Sequence, residues 1–199
     1  MNAMLQIAYC KLLNKKMLAF AFLGAVALAI FTGGLAAPAD AQQAMGNEAP
    51  GVSAGGKWTV FTAEDKMTEA KRSRFVLSAD NGDGPDNAQV TLFCTNGKLD
   101  LADFRPNTRL APPNRPGFWG QPQMEVTVRV DHSHSHHGWN WVNGHFLSMD
   151  KGTAREMIGA QVFKVEFATP RGPQIAEFSP AGLDLGLVSH ACGLTPKKP

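Results

Sequence analysis

The chain has 199 residues, 44% of them hydrophobic, with 19 Lys and Arg against 17 Asp and Glu. Three lysines and Asp40 lie in the first 41 residues, so the remaining 158 residues carry 16 basic and 16 acidic side chains. A neutral body gives no electrostatic basis for nucleic-acid binding, and its length suits one domain that buries about two-thirds of its unfolded surface.

The first 41 residues read as a secretory signal peptide. Lys11, Lys15 and Lys16 form a basic region, residues 17–31 an apolar run, and Ala39-Asp40-Ala41 a small-residue cleavage site. The alternative is an uncleaved anchor, because apolar character continues to Ala37 and approaches the roughly 20 residues that span a bilayer. Cys10 is removed with the leader, and once it is cleaved no stable membrane insertion is expected. Residues 42–56, small and glycine-rich, are expected to form a disordered tether. A single β-rich domain then covers residues 57–194, and 195–199 form a tail.

Residues 57–62 and 74–79 read as the first two strands, joined by a charged segment. Residues 80–87, DNGDGPDN, space carboxylates among glycines without the pattern of a calcium loop, and read as a surface turn. Residues 89–94 and 98–103 form a hairpin about Asn96-Gly97, the preferred pair for a two-residue type I′ turn. Unbroken register pairs Cys94 with Leu99 and Leu92 with Leu101, all facing the core. Residues 105–123 hold five prolines and no period. Phe118 and Trp119 are expected to fold this excursion back onto the sheet; the functional alternative is a binding loop that offers Arg109, Arg115 and Trp119 to a partner.

Residues 124–149 read as strand, His-rich turn, strand, with Val126, Val128 and Val130 on one face and Trp139, Trp141, His145, Leu147 and Met149 sharing a face of the return. A short helix follows over 151–160, strands over 161–168 and 175–178, and a last helix with Ser179 as N-cap and Gly193 as C-cap. The expected fold is α+β, mostly antiparallel sheet, sandwich-like or curved, with two short helices near the C-terminus. Cys94 and Cys192 remain after export to an oxidising compartment. They are expected to pair, the alternative being two buried thiols.

These landmarks resemble the VasI/TagO family of exported proteins associated with type VI secretion. The matching features are Trp58, Asp65, the strand ending in Cys94, Arg129-Val130-Asp131 and the closing FSPAGLDLGLVSHACG, over residues 57–193. The Pro-rich excursion and the His run depart from the family's pattern. The resemblance implies a β-rich periplasmic domain without established catalytic residues, whose partner is an envelope or secretion-system protein.

Five of the six histidines fall within residues 132–145. His132, His134, His136 and His137 are candidate ligands for zinc or copper if the turn curls; otherwise they form a solvated loop. His145 and His190 read as structural. Arg129 and Asp131, side by side on a polar strand face, are a candidate recognition pair together with Arg115 and Trp119. Asp184, Ser189 and His190 supply the residue types of a hydrolytic triad without its arrangement, since adjacent helical residues point about 100° apart. The expected protein is a non-enzymatic binding or accessory protein of the cell envelope; the alternative is a periplasmic metal binder.

Overall fold

Alternating apolar residues build one antiparallel sheet of eleven strands in the computed structural model, which describes residues 48–82 and 87–196. The expected leader and cleavage site, residues 42–47 of the expected tether, 83–86 of the expected acidic turn and 197–199 of the expected tail lie outside the described residues. The strands are β1 (Val52–Ser53), β2 (Thr59–Glu64), β3 (Lys71–Ser78), β4 (Gln89–Thr95), β5 (Lys98–Arg105), β6 (Arg115–Pro116), β7 (Pro122–Val130), β8 (Ser133–Val142), β9 (Phe146–Met149), β10 (Phe163–Thr169) and β11 (Gly172–Phe178). Their order is β1-β2-β3-β4-β5-β9-β8-β7-β10-β11, with β6 paired to the start of β7. Two short helices complete the α+β fold, α1 (Lys151–Met157) and α2 (Leu185–Cys192). Among the described residues no helix is long and apolar enough to cross a membrane.

The sheet is rolled about its apolar face. Phe104 on β5 meets Trp139 on β8, Phe167 on β10 and Phe178 on β11, with ring centroids 5.1–6.2 Å apart, although these strands are spread across the sheet order. The segment after β3 reaches the β11 end of the sheet: Asp80 N donates to Glu177 O, and Asn81 bonds the β11 backbone at Ile175 O and Glu177 N. These bonds satisfy backbone groups that an edge strand would otherwise expose. The core therefore fills the inside of the roll, with Phe75, Leu77, Val90, Leu92, Met124, Val126, Val128, Phe163, Val165 and Phe167 all pointing inward.

The Asn96-Gly97 turn forms as expected, with φ of 49° and 77°. Register then departs from the unbroken ladder. A bulge at Phe93/Cys94 leaves Asp100 unpaired, so Phe93 opposes Leu101 and Leu92 opposes Ala102. That one-residue shift exchanges the faces of everything beyond it. Ala102 and Phe104 enter the core, and Leu101 and Asp103 turn to the outer face.

Cys94 and Cys192 are joined by a disulfide, with Cα atoms 5.0 Å apart across 98 residues. It fixes α2 against the β4–β5 hairpin, where both half-cystines are buried. The helix starts later than Ser179: Asp184 is its N-cap and accepts from Leu187 N, whereas the Ser179 hydroxyl donates to Asp80. Asp184 therefore has a capping role, and His190 is exposed. Helix α1 is likewise capped by an aspartate, Asp150.

The tether is ordered over its described part. Val52 and Ser53 pair with β2, and Ala54 is buried. Gly55 and Gly56, at φ of 92° and 54°, let the chain pass so close to Ala181 and Gly182 that a Cβ at either glycine would lie 2.2–2.3 Å from a carbonyl oxygen there. Composition alone suggests disorder; the close backbone crossing orders these glycines instead.

Candidate functional site

The Pro-rich excursion is anchored by backbone bonds despite its lack of period. Leu110 N donates to Gly144 O, Ala111 N to Ala168 O and Asn114 N to Gln123 O. Its end forms the β6–β7 hairpin, closed by Gly117 N to Gln121 O and Gly120 N to Gly117 O. At the tip, Phe118 and Trp119 are 89% and 85% exposed, which overturns the expectation that they pack on the sheet. They stack on each other edge to face, 4.8 Å between centroids, and Trp119 N donates to Gln121 Oε1. Pairing of Pro116 with Pro122 brings the strands together just before the tip, leaving the rings no sheet surface to cover.

On the outer face of β2–β5 lies an open basin of about 380 Å³, lined by Phe61, Arg72, Arg74, Thr91, Phe93 and Arg105 among others. Each arginine has an acidic partner within the chain. Arg74 makes two bonds to Glu48 at 2.8 and 2.9 Å, Arg72 bonds Asp65 at 2.8 Å and Arg105 bonds Asp103 at 2.9 Å. Asp103 is fully buried, and its Oδ1 has no hydrogen-bond partner among the described residues. Burial pushes its carboxyl above the ordinary value, against the opposing pull of Arg105, Thr91 and Arg74. The sequence offered no sign of this group, because only the bulge places it there.

The His run is strand, and this corrects its reading as a turn. The β7–β8 turn consists of Asp131 and His132, since Val130 pairs with Ser133. His134 and His136 alternate with Ser135 and His137 along β8, on opposite faces. The four candidate metal ligands consequently do not converge, and among the described residues no three His, Cys, Asp or Glu side chains are grouped to hold a metal ion. His145 is exposed in the three-residue loop between Val142 and Phe146, not in the core, because that loop breaks the alternation linking it to Trp141.

Asp131 is structural. Its Oδ1 accepts from Gln161 N and Val162 N at 2.8 and 3.0 Å, and its own N–H donates to Val162 O. Arg129 Nε donates to the Asp131 carbonyl oxygen at 2.8 Å, so this pair is joined through the backbone and not as an ion pair. Arg129, His132 and His134 do edge a shallow outer depression with Lys164 and Glu166.

His137, on the face that leads to buried Trp139, joins a hydrogen-bonded chain that pattern reading missed. Ser135 Oγ is 2.8 Å from His137 Nε2, and His137 Nδ1 is 3.2 Å from both Asp150 Oδ2 and Thr153 Oγ1. Thr153 gives its hydroxyl proton to Asp150 Oδ2 at 2.7 Å, so Nδ1–H is the donor toward both oxygens, while Nε2 accepts from Ser135 in the neutral ring and donates to it in the protonated one. Burial alone would raise the Asp150 carboxyl; the Thr153 bonds, His137 and Trp139 Nε1 together hold it below its usual value. The order of atoms is that of a Ser-His-Asp relay. Acyl transfer also needs donors aimed at a developing oxyanion. The Thr153 N–H beside this chain already bonds Asp150 Oδ1 at 2.9 Å, as part of the α1 cap. The arrangement holds α1 against β8. Its sequence signal was present: Ser and His two apart on a strand, and Asp before a helix start.

No protein-family model matches this chain, and neither a curated protein nor a solved structure shows significant similarity to it.

Proposed function

We propose that this chain is an exported, non-enzymatic binding or accessory protein of the cell envelope, with a type VI secretion system as its setting. The Cys94–Cys192 bond carries the reading. Such a bond persists in oxidising compartments and is rare where thiols are kept reduced, in keeping with the basic, apolar and small-residue order of the N-terminus. The resemblance to the VasI/TagO family supports the secretion setting. A non-catalytic role is supported by the basin, whose arginines are matched by Glu48, Asp65 and Asp103, and by the use of Asp150 as a helix cap.

The test is fractionation of cells expressing the full chain, followed by intact mass with alkylation before and after reduction. A periplasmic product that starts near residue 42 and takes up alkylating agent only after reduction is expected. A cytosolic product with its leader and free thiols overturns export. Incubation of the exported protein with a fluorophosphonate probe is expected to leave Ser135 unlabelled; a stoichiometric adduct there would overturn the non-enzymatic reading.

A further inference from the structure

We infer that the Phe118–Trp119 hairpin docks this protein onto an anionic lipid bilayer, seating both rings at headgroup depth without spanning the membrane. The inference deepens the envelope-binding reading and rests on it for bringing the protein to a bilayer.

Two large apolar rings held in water are the first observation. Both are more than four-fifths exposed. Their backbone is fixed by the Gly117–Gln121 and Gly117–Gly120 bonds, and the rings brace each other edge to face. Docking therefore orders little that is not already ordered, which favours association. Trp and Phe suit the bilayer interface, where an apolar ring body is buried and the indole N–H stays among polar groups.

Charge is the second. From Phe104 to Met124 the sequence contains no Asp or Glu and three arginines. Arg105 is tied to Asp103, whereas Arg109 and Arg115 join no ion pair among the described residues. Arg115 opens the hairpin, four residues before Trp119. Two arginines without an ion-pair partner, in the same acid-free segment that carries the apolar anchors, match the negative surface of an anionic leaflet.

Size separates lipid from a protein partner. Two aromatic side chains present about 300–500 Å², and the neighbouring Pro, Gly and Gln residues add little. A specific protein interface takes about 800 Å² from each partner and needs matched shape. A soft bilayer needs neither.

The experiment uses the exported protein with its disulfide intact and two kinds of vesicle, phosphatidylcholine alone and phosphatidylcholine mixed with phosphatidylglycerol. Co-sedimentation with the mixed vesicles at low salt is expected, weakening as salt is raised. F118S/W119S is expected to bind about tenfold more weakly or worse, with melting unchanged because both rings are exposed. R109Q/R115Q is expected to lose about tenfold of the preference for anionic vesicles. Trp58 and Trp139 are buried and Trp141 is half-buried and bonded to Ala111 O, so a blue shift of emission on binding reports Trp119. The W119F variant keeps the binding and loses that shift.

Equal sedimentation of wild type and F118S/W119S, equal binding to both vesicles, or no binding overturns the inference. An envelope protein lost from pull-downs by F118S/W119S, with no vesicle binding, also overturns it and leaves the envelope reading standing. A cytosolic location in the fractionation test removes the envelope reading whatever the vesicles show.

Discussion

Trp58 donates its indole N–H to the carbonyl oxygen of Pro180 at 2.8 Å, a buried bond between residues 122 apart in the chain. It joins the residue before β2 to the segment after β11. Replacing Trp58 with Phe leaves the Pro180 carbonyl unsatisfied and opens a void beside it. The expected loss is about 1–3 kcal/mol, or roughly 3–10 °C in melting temperature for a domain of this size. A thermal melt followed by near-ultraviolet circular dichroism measures it.

The disulfide closes a 98-residue loop, for which chain entropy gives about 4.7 kcal/mol as an upper figure. C94S/C192S is expected to melt about 10 °C lower than wild type. Wild type in dithiothreitol should shift to match it, while the variant should not respond to reductant. Because α2 packs on β3, β4 and β5 through this link, hydrogen exchange should rise first in residues 185–192.

Asp103 sets a pH dependence of unusual sign. Its folded carboxyl holds the proton more tightly than in the unfolded chain, chiefly through burial. Stability from the protonated form is complete below the ordinary value of 3.8 and is lost as pH rises through the raised folded value. D103N removes the buried charge and keeps an oxygen for Arg105 Nε. Its urea midpoint is expected above that of wild type at pH 7, with the gap closing in strong acid.

Asp150 behaves in the opposite way. Burial opposes ionisation there, but the Thr153 bonds, His137 and Trp139 outweigh it and lower the carboxyl. Its contribution is complete above the unfolded value of 3.8 and is lost as pH falls through the lower folded value. D150N is expected to lower the unfolding free energy measured by urea titration at pH 7 by about 1–2 kcal/mol, mainly through a weaker bond network around α1. The difference from wild type should shrink below pH 3.8.

Much of the sheet was legible in residue pattern. Val126 and Val128 announce the inner face of β7, Asn96-Gly97 announces its turn, and Cys94 and Cys192 are the pair that bonds. The misreadings have physical causes. A bulge at Phe93/Cys94 is invisible to strict alternation and reverses the faces of Leu101 and Asp103. His134, His136 and His137 look like a loop by composition, yet they pair with Arg129, Thr127 and Val126 because β7 offers them a ladder. Exposure of Phe118 and Trp119 contradicts the rule that aromatics pack, because their hairpin carries them clear of the sheet.

The sequence by itself determined the strand-rich antiparallel character of this protein, the type I′ turn and the two cysteines able to bond. Those features depend on local φ preferences and on the two-residue period of a pleated chain. Only the tertiary structure decided that the sheet rolls until Asn81 meets β11, that Gly55 and Gly56 cross Ala181 and Gly182, and that His137 reaches Asp150. Those contacts join residues from 13 to 127 positions apart, and their partners are selected by sheet curvature and by the closure of the core, neither of which is encoded in any short stretch of chain.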